Sequence, residues 1–322
     1  MNKLTIIMYH YTRDLRHSRY PEIRGLDYSL FEQQLRFLKE NFHVVTMEQV
    51  LEAMSIRGGV PDNAVLLTFD DGYIDNYTVA LPLLKKFDLQ GSFFIPGKTF
   101  SENTVLDVNK IHFILASAPA GIIKEELKSK LDENRNGDYG WIPSNEELYE
   151  KHAIYDRYDS RDVMFIKQLL QTVLPEKLRA KIATELFEKY VGMPENYFSR
   201  ELYMNRDQIR CLKQNGMFIG LHGYDHYWLG NLPKDQMKKD IDRALDVMEE
   251  FIDRDAWVMN YPYGNFNEDV IRYISGHGCR LGLTTEVRTA QIGEDDRYQF
   301  PRLDCNDFPP KSENYKRIGG KR

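Results

Sequence analysis

Ala64-Val-Leu-Leu-Thr-Phe-Asp-Asp-Gly72 decides the reading of the fold. Six apolar or β-favouring residues of strand length run into two adjacent carboxylates and a glycine. Pro61-Asp-Asn63 bounds the run on the other side. A continuous apolar stretch between turn signals is the mark of a strand buried on both faces. In parallel α/β folds the loops after the carboxyl ends of strands build the site. Two neighbouring carboxylates disfavour each other's ionisation unless a cation stands nearby. An Asp-Asp-Gly turn is also common in structural loops, so the pair by itself leaves both readings open.

Working outward, short apolar runs alternate with helical patterns. Leu4 to Met8 reads as a first strand and residues 11–27 as a polar loop. Ser29-Leu-Phe-Glu32 and Thr46-Met-Glu-Gln49 read as capping boxes before two helices. A helix over 74–87 and a strand from Gly91 to Ile95 follow. Strands separated by helices of this size predict a parallel sheet with right-handed crossovers. Between about residues 98 and 202 helical patterns succeed one another without strands, broken at Pro175. The alternation then resumes: a helix capped by Asn205, a strand from Met217 to Leu221 and a helix over 234–252. A strand from Ala256 to Met259, a helix over 267–276 and a strand from Arg280 to Thr284 complete it. The spacing predicts one α/β domain over 1–97 and 203–310, a helical insertion over 98–202 and a basic tail over 311–322.

The 322 residues are 42% hydrophobic and 29% charged, with a net charge of −6. Those values suit a folded globule and argue against a dedicated nucleic-acid surface. No stretch approaches the ~18–20 apolar residues of a membrane span. Three cysteines without a CxxC pair give neither a disulfide framework nor a thiolate metal site. The opening Met1-Asn-Lys-Leu-Thr-Ile-Ile-Met8 is too short and too poorly followed for a secretory leader. It sets the expectation of a cytoplasmic protein.

His222-Gly-Tyr-Asp-His226 follows the strand ending at Leu221. Two imidazoles four residues apart can aim at one ion if the loop turns helically, and with one carboxylate they suit zinc or a similar divalent ion. Asn260-Tyr-Pro-Tyr-Gly264 also follows a strand, and its turn could present a backbone N–H to a developing oxyanion.

Thr68-Phe-Asp-Asp-Gly72, His222-Gly-Tyr-Asp-His226 and Tyr261-Pro-Tyr-Gly264, in this order, resemble the first three motifs of polysaccharide deacetylases. These are the NodB-homology proteins of carbohydrate esterase family 4. The resemblance covers about 1–97 and 203–303. It implies a distorted (β/α)7, TIM-like barrel and metal-dependent hydrolysis of an N-acyl group, usually acetyl, from an amino sugar. Carried over by position, Asp71, His222 and His226 would ligate the metal: zinc first, with cobalt, nickel or manganese as alternatives. Asp70 would be the general base, and the Tyr263 backbone N–H would help hold the oxyanion.

The chain departs from the family pattern at two places. Asn260 stands where the third motif usually has an arginine that orients the base. After Arg280 there is no histidine to serve as the usual late acid. Tyr9-His10 resembles the strand-end pair of poly-N-acetylglucosamine deacetylases, which makes His10 the candidate acid. Arg302, in Phe300-Pro-Arg-Leu-Asp304, is the candidate replacement for the missing arginine, with Asp304 as its orienter. His277 reads as structural.

The expected substrate is an N-acylated sugar in a polymer, oligosaccharide or glycan precursor. A cytoplasmic setting would favour a lipid- or nucleotide-linked sugar, with at most peripheral membrane contact. The competing reading, from Asn260 and the missing late histidine, is a carbohydrate-binding protein without turnover.

Overall fold

Among the described residues, seven parallel strand segments build the ring, and their order explains where the site forms. In the computed structural model, which describes residues 2–55, 59–155 and 159–318, they are β1 (Lys3–Tyr9), β2 (Ala64–Asp70), β3 (Ser92–Ile95), β4 (Phe218–Leu221), β5 (Trp257–Asn260), β6 (Cys279–Leu283) and β7 (Leu303–Asp304). Each of β1 to β5 pairs in parallel with the next. The ring is joined by residues 300–304. Phe300 bridges to Leu283 of β6, and Leu303 of β7 pairs with Ile7 of β1. The result is the parallel α/β sheet that the alternation predicted, curled into the barrel-like form that the resemblance implied. Helices supply the crossovers: α1 (Tyr28–Asn41), α2 (Met47–Ser55), α3 (Leu81–Phe87), α4 (Arg206–Gln214), α5 (Lys234–Met248) and α6 (Glu268–Ser275).

The two-residue period of the strands divides the core. One cluster contains Ile7, Val65, Leu67, Phe69, Phe93, Ile95, Ile219 and Met259, packed with the helix residues Leu35, Leu84, Ile241 and Ile274. The other contains Ile6, Leu66, Phe94, Val258, Leu283 and Phe300, from the alternate strand positions. The second set lines the inside of the ring. Stepping by two toward the carboxyl ends leads from Ile6 to His10, Leu66 to Asp70, Phe218 to His222, Val258 to Asn260 and Phe300 to Arg302. The polar ends of the inward-facing rows therefore meet at one mouth. Gly220 makes room within it: a Cβ there would stand 2.4 Å from the Phe94 ring.

Local chemistry accounts for the helix starts. Asn205 and Gln208 form a reciprocal capping box on α4, and Asn267 caps α6. Thr46 and Gln49 exchange the expected pair of bonds. The box expected at Ser29 is displaced: Asp27 is the cap of α1 and accepts from the Ser29 amide. Asp27 can do so because the segment read as loop holds a small parallel pair, Thr12–Arg13 with Leu26–Asp27, that fixes it there.

The chain divides into two compact units. One is Met1–Asp14, Gly25–Glu102 and Arg200–Arg322, and the other is Leu15–Arg24 with Asn103–Ser199. The second is helical and has its own core. Its longest helices are Ala120–Arg135 and Glu176–Val191, the latter starting after Pro175. Leu15–Arg24 belongs to it because Tyr20 packs edge-on against Phe113 and Phe198 at 5.0 and 5.8 Å. Of the basic tail, residues 319–322 lie outside the described residues. Among the described residues, no helix is long and apolar enough to cross a membrane.

Candidate metal centre and catalytic site

Asp70 ends β2 facing inward, is 1% exposed and is held by one side chain. The Arg302 guanidinium donates to it as a fork, Nη1 to Oδ1 and Nη2 to Oδ2, each at 2.9 Å. Its other three N–H groups go to the Thr284 carbonyl (2.9 Å), Thr68 Oγ1 (3.2 Å) and Asn260 Oδ1 (2.9 Å). All five donors of a buried arginine are used, which is the condition for burying such a charge without a large penalty. Burial alone would raise the Asp70 carboxyl. The positive charge of Arg302, with smaller help from His10 and His222, outweighs it and holds the group below the usual carboxylate range.

Arg302 thus lies against the Asp70 carboxylate. Its orienters differ from the sequence expectation. Asp304 does not reach it; that carboxylate caps the short turn Cys305–Asp307 and accepts from Asn306 instead. Asn260 meets the guanidinium of Arg302. The departure at residue 260 and the arginine at 302 are therefore two sides of one contact.

Asp71 has a left-handed backbone (φ 72°), and so does Gly72 (φ 70°). Gly72 is required there twice over, since a Cβ would also stand 2.8 Å from Ile95 Cγ2. The reversal turns the Asp71 carboxylate toward the histidines. Asp71 Oδ1 is 3.5 Å from His222 Nε2 and 3.3 Å from His226 Nε2. One ligand atom from each of the three lies within 4.8 Å of the others, and all three residues are buried.

The donor set fits a divalent cation. Atoms about 2.0–2.2 Å from one ion at tetrahedral angles stand about 3.3–3.6 Å apart. His222 Nδ1 faces the Asn260 carbonyl at 2.6 Å. A carbonyl only accepts, so Nδ1 carries a proton and Nε2 is the atom turned toward Asp71. Burial pushes His226 below its usual value, more than Asp71 pulls it back. Burial would raise the Asp71 carboxyl, but its contacts with His222 and His226 hold it well below the usual range. Its Oδ1 is buried without a hydrogen-bond partner. A buried carboxylate oxygen without a hydrogen bond, facing two imidazole nitrogens, is costly in protein and is relieved by a cation.

The loop that carries the histidines is shaped from below. Asp240 of α5 accepts from the amides of Tyr224 (3.0 Å) and Asp225 (2.9 Å). Burial pushes this carboxyl up to about 6, although the two amides pull the other way. Gly223 and His226 both have positive φ within the turn. An acid on the apolar face of α5, between Met237 and Ile241, is the signal by which this support was legible. Tyr224 and Asp225 point away from the centre: the Tyr224 hydroxyl donates to Glu102 and Asp225 pairs with Lys98.

His10 stands at the mouth, with Nε2 3.8 Å from Asp70 Oδ2 and its side chain 38% exposed. Tyr263 also lies at the site, with φ 58°. Its ring meets the His226 ring edge-on at 4.7 Å and stacks on Trp228 at 4.3 Å. His277 is elsewhere, with Nδ1 facing the Tyr273 carbonyl.

Comparison with known proteins agrees with this geometry. Residues 57–133 and 168–282, more than half of the chain, match the family model described as polysaccharide deacetylase. YxkH of Bacillus subtilis (strain 168), which carries that family's name, is 19% identical over 289 residues, 89% of this chain and 66% of that protein. The poly-beta-1,6-N-acetyl-D-glucosamine N-deacetylase of Escherichia coli (strain K12) is 44% identical over 62 residues, 18% of this chain and 9% of that protein. The chain spans less than two thirds of the length of these curated relatives. The solved structure of the Streptococcus pyogenes deacetylase PplD in complex with acetate superposes with a TM-score of 0.59 at 18% identity, covering 99% of each chain, and so shares the fold. With its strand-end carboxylates, its histidine pair and its barrel, the chain belongs to the polysaccharide deacetylase family.

Proposed function

We propose that the protein is a metal-dependent N-deacetylase of an amino sugar. The observation that carries the reading is the ionised, fork-held Asp70 set beside three residues whose ligand atoms converge on one point. Asp71 Oδ1, His222 Nε2 and His226 Nε2 would hold the ion, with zinc first and cobalt, nickel or manganese as alternatives. When bound there, the ion would polarise the amide carbonyl and acidify the attacking water.

This chain's residues do the rest. Asp70 takes the proton of the attacking water. The Arg302 fork keeps that carboxylate ionised and aimed, and prevents it from turning toward the ligand cluster. The backbone N–H of Tyr263, beside His226, is the proposed second donor to the oxyanion. His10 protonates the departing amine, since an amide anion is a very poor leaving group. The Arg302 contact supports turnover over a binding-only role, because the guanidinium that Asn260 had put in doubt reaches the base from β7.

For the substrate, the 44% identity to the Escherichia coli enzyme over 62 residues favours β-1,6-linked N-acetylglucosamine over other N-acetylated sugars. The test is direct. Metal-loaded protein should release acetate and free amines from a soluble β-1,6-linked N-acetylglucosamine oligomer. Failure on this oligomer and on chitin and peptidoglycan fragments would sink the reading.

Two further outcomes follow. Dialysis against a strong chelator should remove the activity, and zinc or cobalt should restore it; activity that survives with no residual metal by elemental assay would count against the ligand set. His10→Asn should lower kcat by about 10²–10⁴-fold and leave metal affinity unchanged, as read by steady-state kinetics and chelator competition.

A further inference from the structure

Asp71 has two carboxylate oxygens, and only one faces the histidines. The other, Oδ2, accepts from the Tyr73 hydroxyl at 2.5 Å. Tyr73 is two residues on, across the left-handed Asp71–Gly72 reversal, so the loop folds its own tyrosine back beneath the carboxylate.

Three contacts keep that hydroxyl in place. The Tyr73 ring is fully buried and lies face to face with Tyr11 at 4.0 Å. Its other neighbour, Tyr203, lies nearly parallel at 6.1 Å. The backbone is pinned as well: Tyr73 and Tyr203 form an antiparallel bridge, and the Met204 amide donates to the Gly72 carbonyl at 3.0 Å. A ring so held cannot swing away, and its hydroxyl stays on Asp71 Oδ2. Asp71 Oδ1 is left as the buried, unpartnered atom. The two oxygens of one carboxylate are thus assigned different tasks by the fold.

We propose that Tyr73 is a positioning residue that commits Asp71 to ligating the metal through Oδ1 alone. The inference rests on the metal-site reading above. A carboxylate free at both oxygens can bind a divalent ion with either or both, and the change alters the coordination number and the places open to water and substrate. With Oδ2 tied, the protein offers two nitrogens and one oxygen in a fixed array. Groups that orient a ligand in this way typically change metal affinity by about 10–100-fold when removed.

The test uses Tyr73→Phe, which keeps the stacked ring and removes only the hydroxyl. The probe is Co(II) alone, added to metal-free protein. In the variant, affinity by competition with a chelating dye should fall by about 10–100-fold. The visible Co(II) spectrum should lose intensity as Asp71 adds its second oxygen and the coordination number rises. Equal affinity together with an unchanged spectrum would overturn the proposal. Circular dichroism and thermal unfolding check that the variant is folded. A crystal structure of the unmodified protein with Co(II) gives the answer without any variant: one Asp71 oxygen on the ion supports the proposal, and both oxygens on it overturn it. The two readings fail separately. If the unmodified protein does not bind Co(II) at Asp71, His222 and His226, the metal site itself is wrong. If it binds and Tyr73→Phe behaves identically, only the role of Tyr73 is wrong.

Discussion

Asp70→Asn is expected to lower kcat by about 10²–10⁴-fold, while Asp71, His222 and His226 still bind metal with unchanged affinity. The amide has the shape of the carboxylate but cannot accept the proton of the attacking water. The loss should fall on kcat more than on KM, because a base acts in the transition state. Asparagine also presents an NH2 to one arm of the Arg302 fork and leaves that guanidinium without a counter-charge in a site 1% exposed. Stability should therefore fall together with turnover. Metal titration and thermal unfolding separate the two effects. Retention of full turnover in a folded, metal-loaded variant would remove Asp70 from the base position.

Arg302→Met carries the largest expected stability change. Removing one partner of a buried ion pair typically costs about 3–5 kcal/mol, because the other charge is left uncompensated. Here Asp70 would lose both fork bonds, and Thr68, Asn260 and the Thr284 carbonyl would each lose a donor. Urea unfolding should show the loss as a lowered midpoint with an unchanged slope. The double variant Asp70→Asn with Arg302→Met should be less destabilised than the sum of the singles, since neither charge is then stranded. Strict additivity would mean that the pair is not coupled. Arg302→Lys should recover little, because one ammonium cannot fill five directed positions.

The parts of the site that were legible in the sequence are those encoded within a few consecutive residues. Asp70 and Asp71 follow a run that only a buried strand explains, and His222 and His226 follow another. The strand-end rule places both at one rim without any knowledge of pairing partners. Arg302 was legible as a candidate because it follows what reads as a last strand, but its partners were not. Thr68 reads as an ordinary strand threonine, and Thr284 contributes through its carbonyl, which carries no sequence signal. Asp304 looked like the orienter because it is near in sequence, but its carboxylate is taken up in capping the turn that follows it. Tyr73 went unread for a different reason: a tyrosine after Asp-Asp-Gly looks like part of a turn. A stricter accounting of the carboxylate would have asked which group satisfies its second oxygen. Leu15–Arg24 looked like a loop of the barrel because its polar residues hide the one ring, Tyr20, that packs into the helical core.

Residues 300–304 complete the ring and also deliver Arg302, which is separated from Asp70 by 232 positions along the chain. Contacts between such distant segments are the entropically slowest to form. The parallel pairing of β1 with β2 can arise much earlier than the pairing with residues 300–304. A chain caught before that last pairing leaves Asp70 without the guanidinium that neutralises it. The buried ion pair is thereby tied to completion of the ring.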